Sequence, residues 1–456
     1  MSTLINDFQI IIRPKMMRKV KFFRCTSFFI LLTASLIQTE VLCQTVDERT
    51  PIAEFGKGFT VEQIAEYRAN YTLPNLLKGG DITAWLCLRT SELFPTAICP
   101  VRQETQLLPQ EINPDIGEIK ANTKHFGELT LDEFMVHPET YAQGYLVVHK
   151  GKIVYENYQG MTAKDNHVWM SNAKTIPSLI LDLLVSEGKL DQNQTVGYYM
   201  PDFKGTAWEN IKIIDIWDMT PGLNSEENDE TRADPNSVTT RVFLAEFGLP
   251  FNGKYEKVRD VLKEAKYQND PGIKFEYGSP DTEVLVMLAE AITNEPFAQL
   301  VDKHIWSKMY AEAPLQLHLT PNGLAIAHGL VSSTLRDMAR FGMLYTPSWD
   351  KVATEKVVSD EIIERIRGGV RGRDFYRNGF DGPTFTSRLD DDNMISNSRQ
   401  WDAVWPDGDF WKSGIGTQGI YVSPDRDLVM VFFTTNVQDD SAHRYLRRIA
   451  TSGFFD

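Results

Sequence analysis

Cysteines and metal-binding patterns are scarce in this sequence. It contains four cysteines among 456 residues, and Cys25 and Cys43 both lie within the first 43. A fold held together by several disulfides is therefore excluded, and whether Cys87 and Cys99 form a pair stays open. No C-x-x-C, H-E-x-x-H or EF-hand pattern occurs, so we expect neither a metal site nor a cofactor.

Positive charge is in the minority as well. Lys and Arg total 47 against 62 Asp and Glu, which leaves a formal net charge of −15. The one basic cluster, 18–24, lies near the N-terminus, so the rest of the chain is more acidic still. This balance argues against nucleic acids and anionic membrane surfaces as partners, while composition leaves the oligomeric state open.

Long apolar runs are missing apart from residues 28–37, which follow the basic cluster. The run is short for a transmembrane helix. A basic cluster, an apolar run and smaller residues before Gln44 are together typical of a secretory signal peptide. We therefore predict that residues 1–43 are a signal peptide and that the mature protein is secreted or periplasmic. A membrane anchor is the alternative interpretation of this segment.

The remaining composition, with 42% hydrophobic and 24% charged residues, is typical of a globular protein. Strand patterns near both ends of 136–456, with helical spacing between them, predict an α+β fold with an antiparallel sheet. Residues 44–135 show no comparable signal and are interpreted as an N-terminal extension of unknown role. The predicted elements are a hairpin at 144–158, helices at 172–187, 213–219, 279–292 and 334–345, a polar lid or binding loop at 367–410, and a hairpin at 419–433.

A Ser-His-Asp hydrolase finds no support, because no G-x-S-x-G motif occurs. The S-x-x-K pattern, in which a lysine of lowered pKa activates a serine one helical turn away, occurs three times. Ser186–Lys189 and Ser348–Lys351 are interpreted as chance surface matches. Ser171–Lys174 directly precedes the apolar stripe of a predicted core helix, which favours Ser171 as a nucleophile and Lys174 as its base. A capping serine beside a solvated lysine is the alternative.

Two later segments carry further candidate residues. Tyr277 lies before a predicted helix start at Ser279, where a phenol with a pKa lowered by a nearby cation could relay protons. Packing and helix capping are the alternative roles of these two residues. Residues 412–419, KSGIGTQG, precede the last hairpin, and their small side chains would let a substrate carbonyl approach backbone N–H groups. A simple glycine-rich turn is the alternative there.

The order of S-x-x-K, Y-x-S and a glycine-rich segment before a C-terminal hairpin resembles the serine β-lactamase and penicillin-binding protein superfamily. The closer similarity is to the branch with class C β-lactamases, related esterases and 6-aminohexanoate-dimer hydrolases, and it covers roughly residues 140–456. It implies a β-lactamase/DD-peptidase-like catalytic domain at 136–456, with helices flanking the sheet and a mainly helical subdomain at about 190–270. The supporting segments are DIWDMTPGL at 215–223, PGIKFEY at 271–277, LRDMARFGMLY at 335–345 and GIYVSPDRDLV at 419–429.

The resemblance also implies an acyl-enzyme mechanism. Ser171 would be the nucleophile, Lys174 the base that activates it, and Tyr277 the group that relays protons to and from the leaving group. The backbone N–H groups of Ser171 and Ile415 would form the oxyanion hole. The residues expected to bind substrate are Ser279, Gly414, Gly416, Gln418, Trp169 and Lys412.

Two features depart from the pattern of the superfamily. Ser279 stands where many relatives have Asn, and this serine form resembles the aminohexanoate hydrolases. Residues 412–414 fit the lactamase K-[ST]-G motif, whereas 414–418 fit a G-x-G-G-Q-like form with Thr417 in place of Gly. Whether Lys412 faces the site, and so binds a substrate carboxylate, therefore stays open.

The function expected from these observations is a secreted serine hydrolase that cleaves a small amide or ester. The alternatives are a β-lactamase, DD-peptidase or carboxylesterase of the same superfamily, and a binding or sensing protein on this scaffold that does not turn over. The acidic pair Glu226 and Glu227 is interpreted as part of a solvated loop, and the alternative is that these residues favour a cationic end of the substrate.

Overall fold

A computed structural model describes residues 50–455 of the protein, apart from 73, 74, 76 and 77. The predicted signal peptide, residues 1–43, lies outside the described residues. Cys87 and Cys99 are buried thiols that are not joined in a disulfide. Within the described residues no single helix is long and apolar enough to cross a membrane, although one pair of helices bent by 77°, Ser279–Thr293 with Phe297–Lys308, passes that test together.

Three antiparallel sheets are formed by the described strands. The largest has the order β5-β4-β13-β12-β11-β10-β9, the second has the order β1-β7-β8-β6, and β2 pairs with β3. The strands are β1 Thr96–Cys99, β2 Lys120–Asn122, β3 Glu128–Thr130, β4 Ala142–His149, β5 Lys152–Tyr158, β6 His167–Val168, β7 Leu315–His318, β8 Val331–Ser333, β9 Ser396–Ser398, β10 Trp401–Val404, β11 Phe410–Gly414, β12 Gln418–Ser423 and β13 Leu428–Thr434.

The described α-helices lie before, between and after these strands. Those between residues 190 and 270 are short and are joined by irregular segments. The helices are α1 Val61–Ala69, α2 Asp81–Arg89, α3 Leu131–Val136, α4 Thr175–Ser186, α5 Val196–Tyr199, α6 Ile213–Trp217, α7 Asp229–Ala233, α8 Val238–Glu246, α9 Val258–Leu262, α10 Ser279–Thr293, α11 Phe297–His304, α12 Leu335–Met343, α13 Asp360–Gly368, α14 Arg373–Asn378, α15 Asp381–Leu389 and α16 Arg444–Ala450.

Both predicted hairpins are confirmed. β4 and β5 pair antiparallel across the two-residue turn Lys150-Gly151. Both turn residues have positive φ, 49° and 77°, which is the backbone twist that two-residue hairpins require. β12 and β13 pair in the same way, with Ser423 opposite Leu428.

The large sheet is buried on both faces, as the alternation of its side chains shows. Along β4, Leu146 and Val148 belong to one apolar cluster and Tyr145 and Val147 to another. β13 alternates in the same way and pairs with β4 over Leu428–Thr434. α12 packs against β4, β12 and β13, and α3 packs against β4. The prediction of an antiparallel sheet flanked by helices is confirmed.

Two predicted details of secondary structure are wrong. The stretch 367–410 is not one long loop, because it contains α14, α15, β9 and β10. Many of its apolar residues, among them Tyr376 and Phe385, are nevertheless buried, whereas Phe380 is exposed. Ser279 does not cap α10 from outside. Gly278 occupies the cap position, and Ser279 is the first helical residue, so its hydroxyl group is available for other contacts.

The segment predicted as an N-terminal extension contributes a strand and a helix to the structure near Ser171. β1 pairs antiparallel with β7, with Thr96 opposite His318. α2 packs against β6, the short strand that leads into the Ser171 turn. Thr83 on α2 lines the same pocket as Ser171.

Candidate active site

Ser171 lies in a 3-10 turn, Met170–Lys174, that leads directly into α4. Met170 has a φ of 47°, in the left-handed region that side chains rarely adopt, and such strain persists where the surrounding structure holds it. The first N–H groups of a helical segment have no intrahelical acceptor. The turn therefore carries Ser171 at a helix start, with its hydroxyl group and backbone next to a pocket that both Ser171 and Ser279 line.

The Lys174 amine is fully buried and lies among three oxygen atoms. Its Nζ donates to Ser171 Oγ at 3.2 Å, to Ser279 Oγ at 3.0 Å and to the carbonyl oxygen of His328 at 2.9 Å. Burial lowers its pKa from 10.5 to about 7, although the negative charge of Glu227 acts in the opposite direction. A large fraction of this amine is therefore uncharged near neutral pH, which is the state that can accept a proton.

Tyr277 lies beside both lysines of the site. Lys174 Nζ is 5.1 Å and Lys412 Nζ 4.6 Å from the centre of its ring, and Lys412 Nζ donates to the phenol oxygen at 3.4 Å. The ring also packs edge-to-face on Phe385, 5.9 Å away. The predicted lowering of the phenol pKa is wrong: burial raises it well above 10, with Asp402 and Glu227 adding to the effect. The phenol is therefore protonated at neutral pH.

Lys412 faces the site but is bound by a carboxylate. Its Nζ forms a buried ion pair with Asp402, and the same carboxylate accepts from the Ser413 backbone N–H at 2.9 Å and from its hydroxyl group at 2.7 Å. The ammonium charge is therefore compensated within the protein, which weakens its capacity to bind a substrate carboxylate.

Glu227 is a site residue that sequence reasoning missed. It is buried and lines the pocket, so the predicted solvated loop is wrong at this position. Its Oε2 accepts a hydrogen bond from Ser279 Oγ, and its Oε1 pairs with Arg232 at 2.9 Å. Burial alone would raise its pKa, but the Arg232 guanidinium, Lys174 and these hydrogen bonds lower it to about 2. Glu227 is therefore a carboxylate joined to Lys174 through one hydroxyl group.

His328, whose carbonyl oxygen accepts a hydrogen bond from Lys174, is itself held by two carboxyl groups. Its Nε2 and Glu246 Oε2 are 2.9 Å apart, and its backbone N–H donates to Glu283 Oε1 at 3.4 Å. Ligand atoms of these three residues lie within 4.8 Å of one another, close enough to meet a metal ion. Burial raises the pKa of Glu246 well above 4.5 and that of Glu283 to about 8. These contacts form a hydrogen-bonded cluster that supports His328 beside Lys174.

The end of β11, at Gly414, lies against the 3-10 turn that carries Ser171. A Cβ atom on Gly414 would lie 2.8 Å from Met170 Cβ and 3.0 Å from the Trp169 carbonyl oxygen, so only glycine fits this approach. Ile415, which is 37% exposed, and Gly416 line the pocket. The structure therefore brings the two predicted oxyanion-hole residues, Ser171 and Ile415, to one pocket.

Three residues expected to contact substrate lie behind the pocket. Trp169 is fully buried, and its Nε1 donates to Ser333 Oγ at 2.9 Å. Gln418 is fully buried, and its Nε2 donates to the Thr434 carbonyl oxygen at 2.8 Å. Gly414 forms the contact described above. These residues are not among those that line the pocket, and their contact with substrate stays a prediction.

The other two S-x-x-K sequences have no comparable surroundings. Ser186 Oγ donates to the Asp182 carbonyl oxygen at 3.0 Å, and Lys189 pairs with Glu187 in an exposed ion pair. Ser348 hydrogen bonds to Asp427. The prediction that position, and not the motif alone, distinguishes Ser171 therefore agrees with the geometry.

Comparison with known proteins gives consistent results. A model of the family described as Beta-lactamase matches residues 139–452. The 6-aminohexanoate-dimer hydrolase of Paenarthrobacter ureafaciens is 25% identical over 362 residues, which is 79% of this chain and 87% of the relative. A Salmonella agona (strain SL483) protein named "Putative D-alanyl-D-alanine carboxypeptidase" is 26% identical over 242 residues, 51% of this chain and 52% of the relative.

A solved structure is similar over most of the chain. It is named "Putative 6-aminohexanoate-dimer hydrolase from Bacillus anthracis" and has a TM-score of 0.69 and 22% identity, covering 84% of this chain and 97% of that one. At this identity the likeness concerns the fold, and it agrees with the β-lactamase/DD-peptidase-like architecture. Because the family model matches more than half of the sequence, the chain belongs to the beta-lactamase family and is a serine hydrolase of that family.

Proposed function

We propose that the protein hydrolyses a small, uncharged amide or ester through an acyl-enzyme formed on Ser171. The observation that carries this proposal is the buried Lys174 amine, which contacts Ser171 Oγ at 3.2 Å and has a pKa lowered to about 7. Neutral Lys174 takes the proton of Ser171 as Oγ attacks the substrate carbonyl carbon. The backbone N–H groups of Ser171 and Ile415 hold the oxyanion.

Proton transfer to the leaving group is assigned to Tyr277. Its phenol is protonated in the resting site, so it gives its proton to the leaving oxygen or nitrogen and regains one from protonated Lys174. Water then attacks the acyl carbon, and Lys174 takes one of its protons. The bond from the acyl carbon to Ser171 Oγ breaks, Lys174 passes the proton to Oγ, and the acid leaves. No cofactor enters these steps.

A β-lactamase or DD-peptidase is the less favoured function. Substrates of that kind present a carboxylate to the site, and the lysine of the K-S-G sequence, Lys412, is bound to Asp402 here. An amidase or esterase needs no such cation. We further propose export, with residues 1–43 removed, because of their basic cluster and short apolar run.

Covalent labelling tests the nucleophile directly. A fluorophosphonate probe should label the wild type, and Ser171→Ala should abolish the label. The matched controls Ser186→Ala and Ser348→Ala should keep it, because they alter the other two S-x-x-K sequences. Equal labelling of all three variants would refute the assignment.

A substrate panel then tests the reaction. A short nitrophenyl ester and a small amide should turn over faster than nitrocefin. A label that forms once and never turns over would favour the alternative of a binding or sensing protein. Faster hydrolysis of nitrocefin would favour a β-lactamase.

A further inference from the structure

The pocket beside Ser171 has mainly apolar walls. They come from segments far apart in sequence: the nucleophile turn, α8 and the residue after it, the segment before β8, the turn after β11 and the segment after β13. Because these segments meet only in the folded protein, no local motif revealed the pocket. The apolar lining residues are Met170, Phe243, Phe247, Leu330, Ile415 and Val437.

The ionisable groups in this lining are compensated by partners within the protein. Glu227 is held by Ser279 and by Arg232. His328 is paired with Glu246, and burial lowers its pKa to about 4, so it is uncharged at neutral pH. A charged substrate group entering this pocket would lose its water without meeting an uncompensated opposite charge there.

We propose that this pocket binds an uncharged, apolar portion of the substrate and discriminates against substrates with a charged end. The inference rests on the proposed acyl-enzyme function, since it places the apolar group next to Ser171. Burying a methylene group contributes about 0.8 kcal/mol, which is about a fourfold gain in kcat/KM for each methylene that the pocket holds. Burying an uncompensated charge lowers kcat/KM, and by a larger factor than one methylene group raises it.

Esters that differ in chain length or in charge test the proposal. The probes are 4-nitrophenyl acetate, 4-nitrophenyl hexanoate, and hexanoate esters whose far end carries a trimethylammonium or a sulfonate group. Hexyl acetate and its trimethylammonium analogue test the leaving-group side of the site in the same way. If the pocket holds the acyl group, kcat/KM for the hexanoate ester should exceed that for the acetate ester at least tenfold. If it holds the leaving group, kcat/KM for hexyl acetate should exceed that for methyl acetate at least tenfold. For both charged analogues, kcat/KM should be at least about 100-fold lower than for the neutral ester.

Variants of one phenylalanine identify the wall. Phe247 is only partly buried, so Phe247→Ala should fold, and it should reduce the preference for the longer ester at least fivefold. Phe247→Asp should raise kcat/KM for the trimethylammonium ester, relative to that for the neutral ester, at least tenfold. The matched control is Phe251→Ala, because Phe251 is also partly buried and packs on Arg241, outside the pocket lining. These ratios do not depend on the amount of folded enzyme.

The outcomes separate this inference from the function on which it rests. If Ser171 is not labelled and the acetate ester is not hydrolysed, the proposed function fails. If Ser171 is labelled and acetate is hydrolysed, but charged and neutral esters react at equal rates, the apolar pocket is refuted while the function stands. An unchanged ester preference in both Phe247 variants would also refute it.

Discussion

Glu227 should control the pH at which the enzyme becomes active. The base, Lys174, works only when uncharged, and its pKa is about 7. kcat/KM should therefore rise with pH through an acid limb near 7. Glu227 stays ionised throughout this range, because its pKa is about 2. Its negative charge stabilises the protonated form of Lys174 through Ser279, so Glu227→Gln should lower the Lys174 pKa and shift the acid limb to lower pH.

The size of the shift follows from the geometry. One hydroxyl group, Ser279 Oγ, connects Lys174 Nζ and the Glu227 carboxylate. Two unit charges about 5 Å apart interact by about 3 kcal/mol at an effective dielectric constant of about 20. This energy corresponds to about two pKa units. Relaxation of the site reduces the effect, so we expect the limb to move by about one to two pH units.

The assay is kcat/KM for a neutral nitrophenyl ester from pH 4.5 to 9.5. Glu226→Gln is the control, because Glu226 is the adjacent acid and its carboxylate pairs with Asn228, away from Ser279. The control should leave the limb in place. A Glu227→Gln limb that stays near pH 7 or moves upward would refute Lys174 as the group behind it.

Three further variants test other parts of the site. Tyr277→Phe should lower kcat about 10² to 10⁴-fold, the contribution of a positioned proton donor, in steady-state assays; a change under threefold would contradict its role. Asp402→Asn leaves the buried Lys412 charge unpaired and should lower the free energy of unfolding, measured with urea, by about 3–5 kcal/mol. The double variant Asp402→Asn with Lys412→Met should recover much of this stability. If it recovers none, the lost ion pair is not the cause. Gly414→Ala places a methyl group against Met170 and should lower the free energy of unfolding by about 1–3 kcal/mol and kcat/KM at least tenfold. The control is Gly368→Ala, whose methyl group meets open space on α13 and which should be neutral or stabilising. Equal effects of the two variants would refute the close approach.

The fold was predictable where local signals are strong. β4, β5, β12 and β13 are short runs rich in β-branched and aromatic residues, and each pair is joined by a turn with characteristic residues, so both hairpins could be recognised. The stretch 367–410 could not, because its strand β9 has the sequence Ser-Asn-Ser. This strand is buried by long-range contacts such as that of Asn397 Nδ2 with the Asp218 carbonyl oxygen at 2.6 Å, which no local pattern contains.

The residues of the candidate site also differ in how far the sequence alone could indicate them. Ser171, Lys174 and Tyr277 could be proposed from the sequence because their spacing and order carry information, and the structure brings them together. Glu227 and Asp402 belong to acidic segments that resemble any solvated loop. Only burial and the presence of a lysine partner distinguish them, and both depend on the folded chain.

The pairing of β4 with β13 has a consequence for how the chain is made. These two interior strands of the large sheet bring residues near 145 and 430 together, so the contact must wait until nearly the whole polypeptide has been synthesised. A premature stop before residue 428 would remove the middle of the sheet and leave β4 and β12 without a common neighbour. Such shortened products should be degraded by proteases, and none should persist as a weakened enzyme.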